Sequence, residues 1–380
     1  MALPLRDAAS VHDLAAAARR RLPRFVFNYL DGGAGEDAGV ARNVASWGRY
    51  LLKPRRFGPV ADRTAVSLFG RSYAQPFGIA PMGMANFFHP GADLLMAALA
   101  QRENVPYVLS TAGSTAVEAV AAVAPDVAWF QLYLFADEAI NADLVRRAWE
   151  AGLGVLVLTV DVPLGGRRNR SIRDRYALPI QYTPRLVADL LAHPGWSVSL
   201  LRHGRPTLEN YARYAEGQGL EAAGRHIATF IRNGFGWDEL ATLRDRWKGR
   251  LVVKGIMLPE DAERCVRMGA DGIWVSNHGG RQLESAPASV DAVAPVRAAV
   301  GSGVAVLADG GVRSGEDIIK ARALGADLAF AGRPFGYAAA AAGAAGLAKA
   351  FEILSAELRV ALTQIGCPDV TELGPGNLAN

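Results

Sequence analysis

Eight short apolar runs, each closing in polar or glycine-rich residues, constrain this chain more than any other feature. They are FGIAP (77–81), PYVLSTAG (106–113), AWFQLY (128–133), GVLVLTVDVP (154–163), LVVKGI (251–256), GIWVSNHGG (272–280), VAVLADGG (304–311) and DLAFAGRP (327–334). Their β-branched, nearly continuous character is that of parallel strands buried on both faces. Stretches with helical apolar spacing separate most of them, among them ADLLMAALAQREN, ADLVRRAWEAG, EDAERCVRMGA and GEDIIKARALGA. Several close in Gly-Ala-Asp or Ala-Gly, where a glycine can take the left-handed conformation that stops a helix. Alternating strand and helix means a parallel sheet. Eight repeats close most economically as a (β/α)8 TIM barrel of the α/β class, expected over about 74–350. A helical segment precedes it, with Ser10 and Asp13 spaced as a helix cap. All 380 residues are read as one domain.

Composition narrows the setting. With 51% hydrophobic and 21% charged residues, the chain has ample core material and is neither disordered nor collagen-like. Two cysteines, Cys265 and Cys367, exclude a disulfide scaffold, have no zinc-like spacing and fit a reducing compartment. No metal site is expected. The N-terminus lacks the pattern of a signal peptide, and the Ala-rich stretch after Tyr337 is broken by glycines and Lys349. The expected location is cytoplasmic, with any membrane contact peripheral and on the inner face.

The net charge of +4 does not argue for nucleic acid, but its distribution is uneven. Between Gly165 and Gly236 eleven arginines face five acidic residues, so this segment carries all of the positive excess. It lies in an insertion of about 165–247 after the fourth run, far longer than an ordinary strand-to-helix connection. Leu, Phe and Trp residues are scattered among its arginines. It reads as an active-site cover whose outer part touches a membrane, or as a decorated loop with a solvated basic face.

Most polar residues that interrupt the runs fall at their C-terminal ends: Ser110, Gln131, Tyr133, Thr159, Asp161, Lys254, Ser276, His278, Arg281, Asp309 and Arg313. In a barrel these ends converge on one mouth. Lys, His and Arg gathered at one rim carry an electrostatic cost that simple strand capping does not explain, which favours catalysis.

The block SNHGGRQ (276–282), together with LPRFVFNYLDGGAGED, WFQLY, LTVDVP, VKGI, LADGGVRSGEDIIKARALGA and GRP, resembles the FMN-dependent α-hydroxy acid dehydrogenase and oxidase family. The resemblance runs from about Ser10 to the C-terminus. The pieces HPGWS, RHGRPTLEN and ALTQIGCPDVTEL are most similar to its mandelate-oxidising members. It implies that His278 is the base that takes a proton from a 2-hydroxy acid, and that Asp161 steadies the imidazolium. Arg281 and Arg168 would bind the substrate carboxylate, a task that suits a guanidinium fork, with Arg170 as the rival of Arg168. Tyr133 and Tyr29 would offer phenol hydroxyls to the substrate.

For FMN the resemblance implies backbone contacts at Pro81, Met82 and Gly83 and ring-edge contacts from Ser110, Gln131, Thr159 and Ser276. Lys254 would be the cation beside the reduced ring. The phosphate would sit on Asp309, Gly310, Gly311, Val312 and Arg313 and on Gly332 and Arg333. Met82 departs from the threonine common among relatives. Gly83 stands where oxidases of the family usually have alanine, which favours a dehydrogenase. No strand-linked GxGxxG supports a nicotinamide cofactor. The expected reaction is (S)-mandelate to benzoylformate, with electrons passing to a membrane quinone or respiratory carrier. L-lactate to pyruvate, and a mandelate-type oxidase using O2, are the alternatives; a flavin-binding membrane adaptor is the non-enzymatic one. The family also implies a homotetramer.

Overall fold

A computed structural model describes residues 4–55, 58, 60–175, 183–214 and 236–379. Three helices come first: α1 (Val11–Arg21), α2 (Arg24–Asp31) and α3 (Ala38–Ser46). The Ser10 side chain accepts from the Asp13 N–H and Asp13 answers on the Ser10 backbone, completing the expected cap. A hairpin, β1 (Val66–Leu68) and β2 (Arg71–Tyr73), leads into the barrel. It covers the N-terminal mouth, with the Phe69 ring 5.9 Å from that of Trp129.

Eight parallel strands then close on themselves: β3 (Phe77–Ile79), β4 (Tyr107–Ser110), β5 (Ala128–Leu132), β6 (Val155–Thr159), β7 (Arg250–Ile256), β8 (Gly272–Val275), β9 (Ala305–Ala308) and β10 (Leu328–Ala331). Each falls on one of the eight apolar runs, so the chain is a (β/α)8 TIM barrel. Trp129, Trp274 and Phe330 fill its interior, with the last two ring centroids 4.1 Å apart. The Gly-Ala-Asp triplets serve twice. Gly269 and Gly325 end their helices at φ of +91° and +104°. Asp271 and Asp327 then accept the Leu251 and Val306 N–H groups of the neighbouring strands, stapling the barrel at its N-terminal edge.

Helices α4 (Ala92–Glu103), α5 (Val117–Val123) and α6 (Glu138–Glu150) follow β3, β4 and β5. After β6 comes the insertion, with short helices α7 (Asn169–Arg173), α8 (Pro184–Ala192), α9 (Pro194–His203) and α10 (Glu209–Ala212). Residues 176–182 and 215–235 of the expected insertion lie outside the described residues. The insertion ends before 247: α11 (Trp237–Arg246) buries Leu240 and Leu243 and occupies the barrel's own helical layer. Helices α12 (Pro259–Arg267), α13 (Val290–Val300) and α14 (Gly315–Ala323) follow the next three strands.

The last helix, α15 (Arg333–Gln364), runs past the expected boundary at 350. By length and composition it could cross a membrane. Non-helical angles at Ala342 and Gly343 break it, and its Leu347, Leu354 and Leu358 are buried against the rest of the fold.

Candidate active site

The C-terminal strand ends enclose a cavity of about 260 Å³, and the carbonyl-side turn after β8 sets His278 on its wall. His278 has φ of +58°, uncommon for a residue with a Cβ, so its neighbours must hold it there. Its N–H donates to Ser276 Oγ at 3.0 Å. Next to it, Asn277 and Asn43 of α3 exchange amide hydrogen bonds at 2.7 and 2.8 Å, both residues being buried. Asn277 Oδ1 also accepts the Gly280 N–H.

The imidazole is oriented from behind. His278 Nδ1 lies 2.8 Å from Asp161 Oδ1. A carboxylate only accepts, so Nδ1 carries the hydrogen and Nε2 is left as the acceptor. The Tyr133 hydroxyl lies 3.4 Å from Nε2. Burial works to raise the Asp161 carboxyl, but its electrostatic interaction and hydrogen bond with His278, helped by Lys254, hold it below the usual range. Burial, and then the Asp161 charge, raise the Tyr133 phenol well above its ordinary value. It therefore stays protonated and donates.

Two guanidiniums share this wall. Arg281 Nη1 donates to the carbonyls of Tyr29 and Gly32, each at 2.8 Å. Burial, followed by the neighbouring charge of Arg168, brings Arg281 down to about 9. That is an electrostatic cost a bound carboxylate would relieve. Arg168 also lines the cavity, with a buried Nε that has no partner among the described residues. Its rival Arg170 is committed elsewhere, to Asp31 at 2.6 Å and to Asp37, and is absent from the cavity wall. The Tyr29 hydroxyl donates to Gly83 O at 3.3 Å.

The floor is polar in one place and bare in another. Lys254 Nζ is 2.8 Å from Asp309 Oδ2 and donates to Ser276 Oγ at 2.7 Å, and Ser276 passes the chain on to Asp309 Oδ1 at 2.6 Å. Ser110 and Thr159 line the cavity, and Gln131 sits behind Ser110, accepting its hydroxyl at 2.9 Å. Gln131 Nε2 and Thr159 Oγ1 are buried without partners among the described residues. Pro81, Met82 and Gly83 form one side; a methyl on Gly83 would lie 3.2 Å from Ala112 Cβ and 3.4 Å from the Tyr29 hydroxyl.

At the far end lie Gly310, Gly311, Val312, Arg313, Gly332 and Arg333. Gly311 has φ of +84°, and a Cβ there would come within 2.2 Å of Asn43 O, so only glycine fits the turn. Burial, then Arg313, bring Arg333 down to about 10. Half-buried guanidiniums beside glycine backbone fit a phosphate, and the orphaned Gln131 and Thr159 atoms fit the polar edge of a ring, so these residues suit FMN.

Every expected site residue is therefore at this mouth, all but Asp161, Gln131 and Ser276 on the wall itself and those three directly behind it. Sequence reasoning missed Phe88, Val162 and Leu30, which give the cavity its apolar side, and Gln282, whose Oε1 accepts the Gly166 N–H at 2.8 Å. It also missed Asn43. A polar residue on the buried face of an amphipathic helix was the available signal.

The geometry has close counterparts. Residues 18–380 match the model of the FMN-dependent dehydrogenase family. (S)-mandelate dehydrogenase of Pseudomonas putida is 37% identical over 372 residues, 98% of this chain and 94% of that one. L-lactate dehydrogenase of a Caulobacter species is 38% identical over 374 residues, 98% of both chains. Among solved structures, monotopic membrane protein (S)-mandelate dehydrogenase superposes with a TM-score of 0.93 at 37% identity, covering 98% of this chain and 100% of that one. Mandelate oxidase gives 0.81 at 37% identity and 96% coverage of both. The chain belongs to the family of FMN-dependent 2-hydroxy acid dehydrogenases and oxidases.

Proposed function

We propose that this protein oxidises (S)-mandelate to benzoylformate and passes the electrons to a membrane quinone or respiratory carrier. The observation that carries the catalytic part is the His278–Asp161 pair at 2.8 Å, which leaves Nε2 as a base on a wall shared with Arg281 and Arg168. In this reading the two guanidiniums hold the substrate carboxylate. Tyr133 and Tyr29 orient the substrate hydroxyl and carboxylate by donating to them. His278 Nε2 takes a proton from the hydroxyl or from the α-carbon, and Asp161 stabilises the positive charge that results.

FMN, when bound, supplies the two-electron acceptor that this oxidation needs. Arg313, Arg333 and the N–H groups around Gly310 and Gly311 would hold its phosphate. Ser110, Gln131, Thr159 and Ser276 would meet its ring edge, Lys254 would place a positive charge beside it, and Pro81, Met82 and Gly83 would lie along it. Asp309 orients Lys254, and Val312 and Gly332 complete the wall.

An aromatic substrate is favoured by the apolar side of the cavity, where Phe88, Val162, Leu30 and the small Ala112 leave room for a ring. L-lactate is the second reading, supported by relatives of comparable identity, 36% and 38%. Gly83 supports a dehydrogenase over an oxidase. Mixing the oxygen-free holoenzyme with (S)-mandelate, and separately with L-lactate, decides among them. Loss of the oxidised flavin absorbance with mandelate alone, and slow recovery in air, is the expected result. Preferential bleaching by lactate moves the function to the second reading, and rapid recovery in air makes it an oxidase.

We also infer peripheral attachment to the inner face of the cell membrane through the insertion, and a homotetrameric assembly. Similarity to a monotopic membrane protein supports the first, as do the exposed Leu164, Ile172, Leu191 and Leu201 of the insertion. Replacing Leu191 and Leu201 by aspartate should shift the protein from the membrane to the soluble fraction. The mass in solution tests the tetramer.

A further inference from the structure

The insertion leaves the barrel after β6, yet its later helices return to the loops that follow β3, β4 and β5. Buried side chains of α9 and α10 make these contacts. Trp196, in α9, sets its ring edge-on to Phe25 at 5.8 Å and donates from Nε1 to the Phe87 carbonyl at 2.8 Å. Phe88, the next residue, lines the active-site cavity. Asn210, in α10, accepts the Val117 N–H on Oδ1 at 3.0 Å and donates from Nδ2 to the Thr115 carbonyl at 3.1 Å. Tyr211, beside it, meets the Phe135 ring edge-on at 4.8 Å. Phe135 lies two residues past Tyr133.

Asn210 makes the most exacting of these contacts. Val117 begins α5, and the cap residue Ala116 has no side-chain oxygen for the unpaired N–H groups of the first turn. Asn210 supplies an acceptor from 93 residues further along the chain, and gives the Thr115 carbonyl a donor as well. A carboxylate could do only the first. The loop held in this way carries Ala112, a wall of the cavity, whose carbonyl accepts the Met84 N–H at 2.8 Å. Thr111 Oγ1 of the same loop accepts the Tyr133 N–H at 3.1 Å, which ties the loops after β4 and β5 together. His278 and Arg281 stand on the turn after β8, across the barrel from β4.

We propose that α9 and α10 select the substrate's side chain. Trp196 and Asn210 are positioning residues that fix the Phe88 and Ala112 walls of the cavity. The inference rests on the reading given above, in which the apolar side of the cavity receives the substituent of the 2-hydroxy acid. The carboxylate and the reacting carbon are common to all such substrates and are held across the barrel. A phenyl ring must fill the space between the walls, whereas the methyl group of lactate is too short to use both. A displaced wall therefore penalises the first substrate and spares the second.

The test uses the FMN-loaded full chain with a soluble dye as electron acceptor, and reads kcat/KM for (S)-mandelate and for L-lactate. Asn210→Asp keeps the size of the side chain and the acceptor for Val117, but turns a second acceptor on the Thr115 carbonyl. Trp196→Phe keeps an aromatic ring against Phe25 and loses the bond to Phe87. Each variant should lower the mandelate-to-lactate ratio by about tenfold, mainly through KM for mandelate. The value for lactate should stay within about twofold, with flavin content unchanged. An equal fall for both substrates gives the two residues a merely structural role and overturns the proposal, as does an unchanged ratio. If Asn210→Asp loses its flavin, Trp196→Phe decides alone. A wild type that prefers lactate corrects the proposed substrate but not this inference, because each ratio is read against the wild type. In that case longer (S)-2-hydroxy acids serve as the large substrate.

Discussion

At His278 two demands meet in one residue: a positive φ and a hydrogen bond from Nδ1 to a buried carboxylate. Removing the imidazole leaves Asp161 and the turn in place but no base on the wall. The variant His278→Ala should therefore keep FMN and its yellow colour while substrate no longer bleaches it, a loss of about 10²-fold or more. Rapid flavin reduction in that protein would remove His278 from the mechanism. Arg281→Lys is a milder change. Lysine cannot reproduce a fork that serves the Tyr29 and Gly32 carbonyls and still faces the cavity. Steady-state kinetics should show KM raised about tenfold or more with FMN retained. These two residues were legible because they sit together in SNHGGRQ. Arg168 and Arg170 were not separable by sequence, since both lie in GGRRNR and only the depth of Asp31 and Asp37 behind Arg170 tells them apart.

Among the elements, α3 has the largest influence for its nine residues. It lies outside the barrel, yet Asn43 holds the His278 turn through Asn277 and packs its carbonyl against Gly311. Substituting Asn43→Leu would remove two buried hydrogen bonds from the Asn277 amide, leaving it the Pro287 carbonyl and the Gly280 N–H. Urea unfolding should show a loss of about 2–3 kcal/mol, and the same variant should turn over more slowly. All eight strands could be read from their apolar runs, because burial on both faces leaves an unbroken signature. The insertion was visible as a composition shift, but its end was misplaced. The pattern of α11, with Leu240 and Leu243 inward, is short and set among charged residues, so it merged with the basic segment before it. The apolar side of the cavity, Phe88 and Val162, comes from turns with no periodicity and left no trace in the sequence.

For the whole molecule, acid sensitivity has an unusual contributor. Asp93 is fully buried, and burial, opposed by hydrogen bonds from the Ser114 N–H and the Tyr107 hydroxyl, raises its carboxyl from 3.8 to about 6. A carboxyl raised on folding contributes stability below its unfolded value and loses it as pH rises through the folded one. Relative to Asp93→Asn, the wild type should therefore lose stability between about pH 4 and 6, by about 3 kcal/mol in all, and then level off. Chemical denaturation of both proteins across that range checks the sign. A difference that does not vary with pH would mean that Asp93 does not titrate on folding.

The carbonyls of Tyr29, Asp31 and Gly32 are held by Arg281 and Arg333, and Ala379 donates its N–H to Leu51. Segments about 250 to 330 residues apart along the chain thus hold one another in place. An N-terminal fragment can form α2 but not fix Tyr29, so a prematurely terminated chain has no half-built reaction centre to misfire. The site can be completed only once β10 and the Arg333 that follows it have been made.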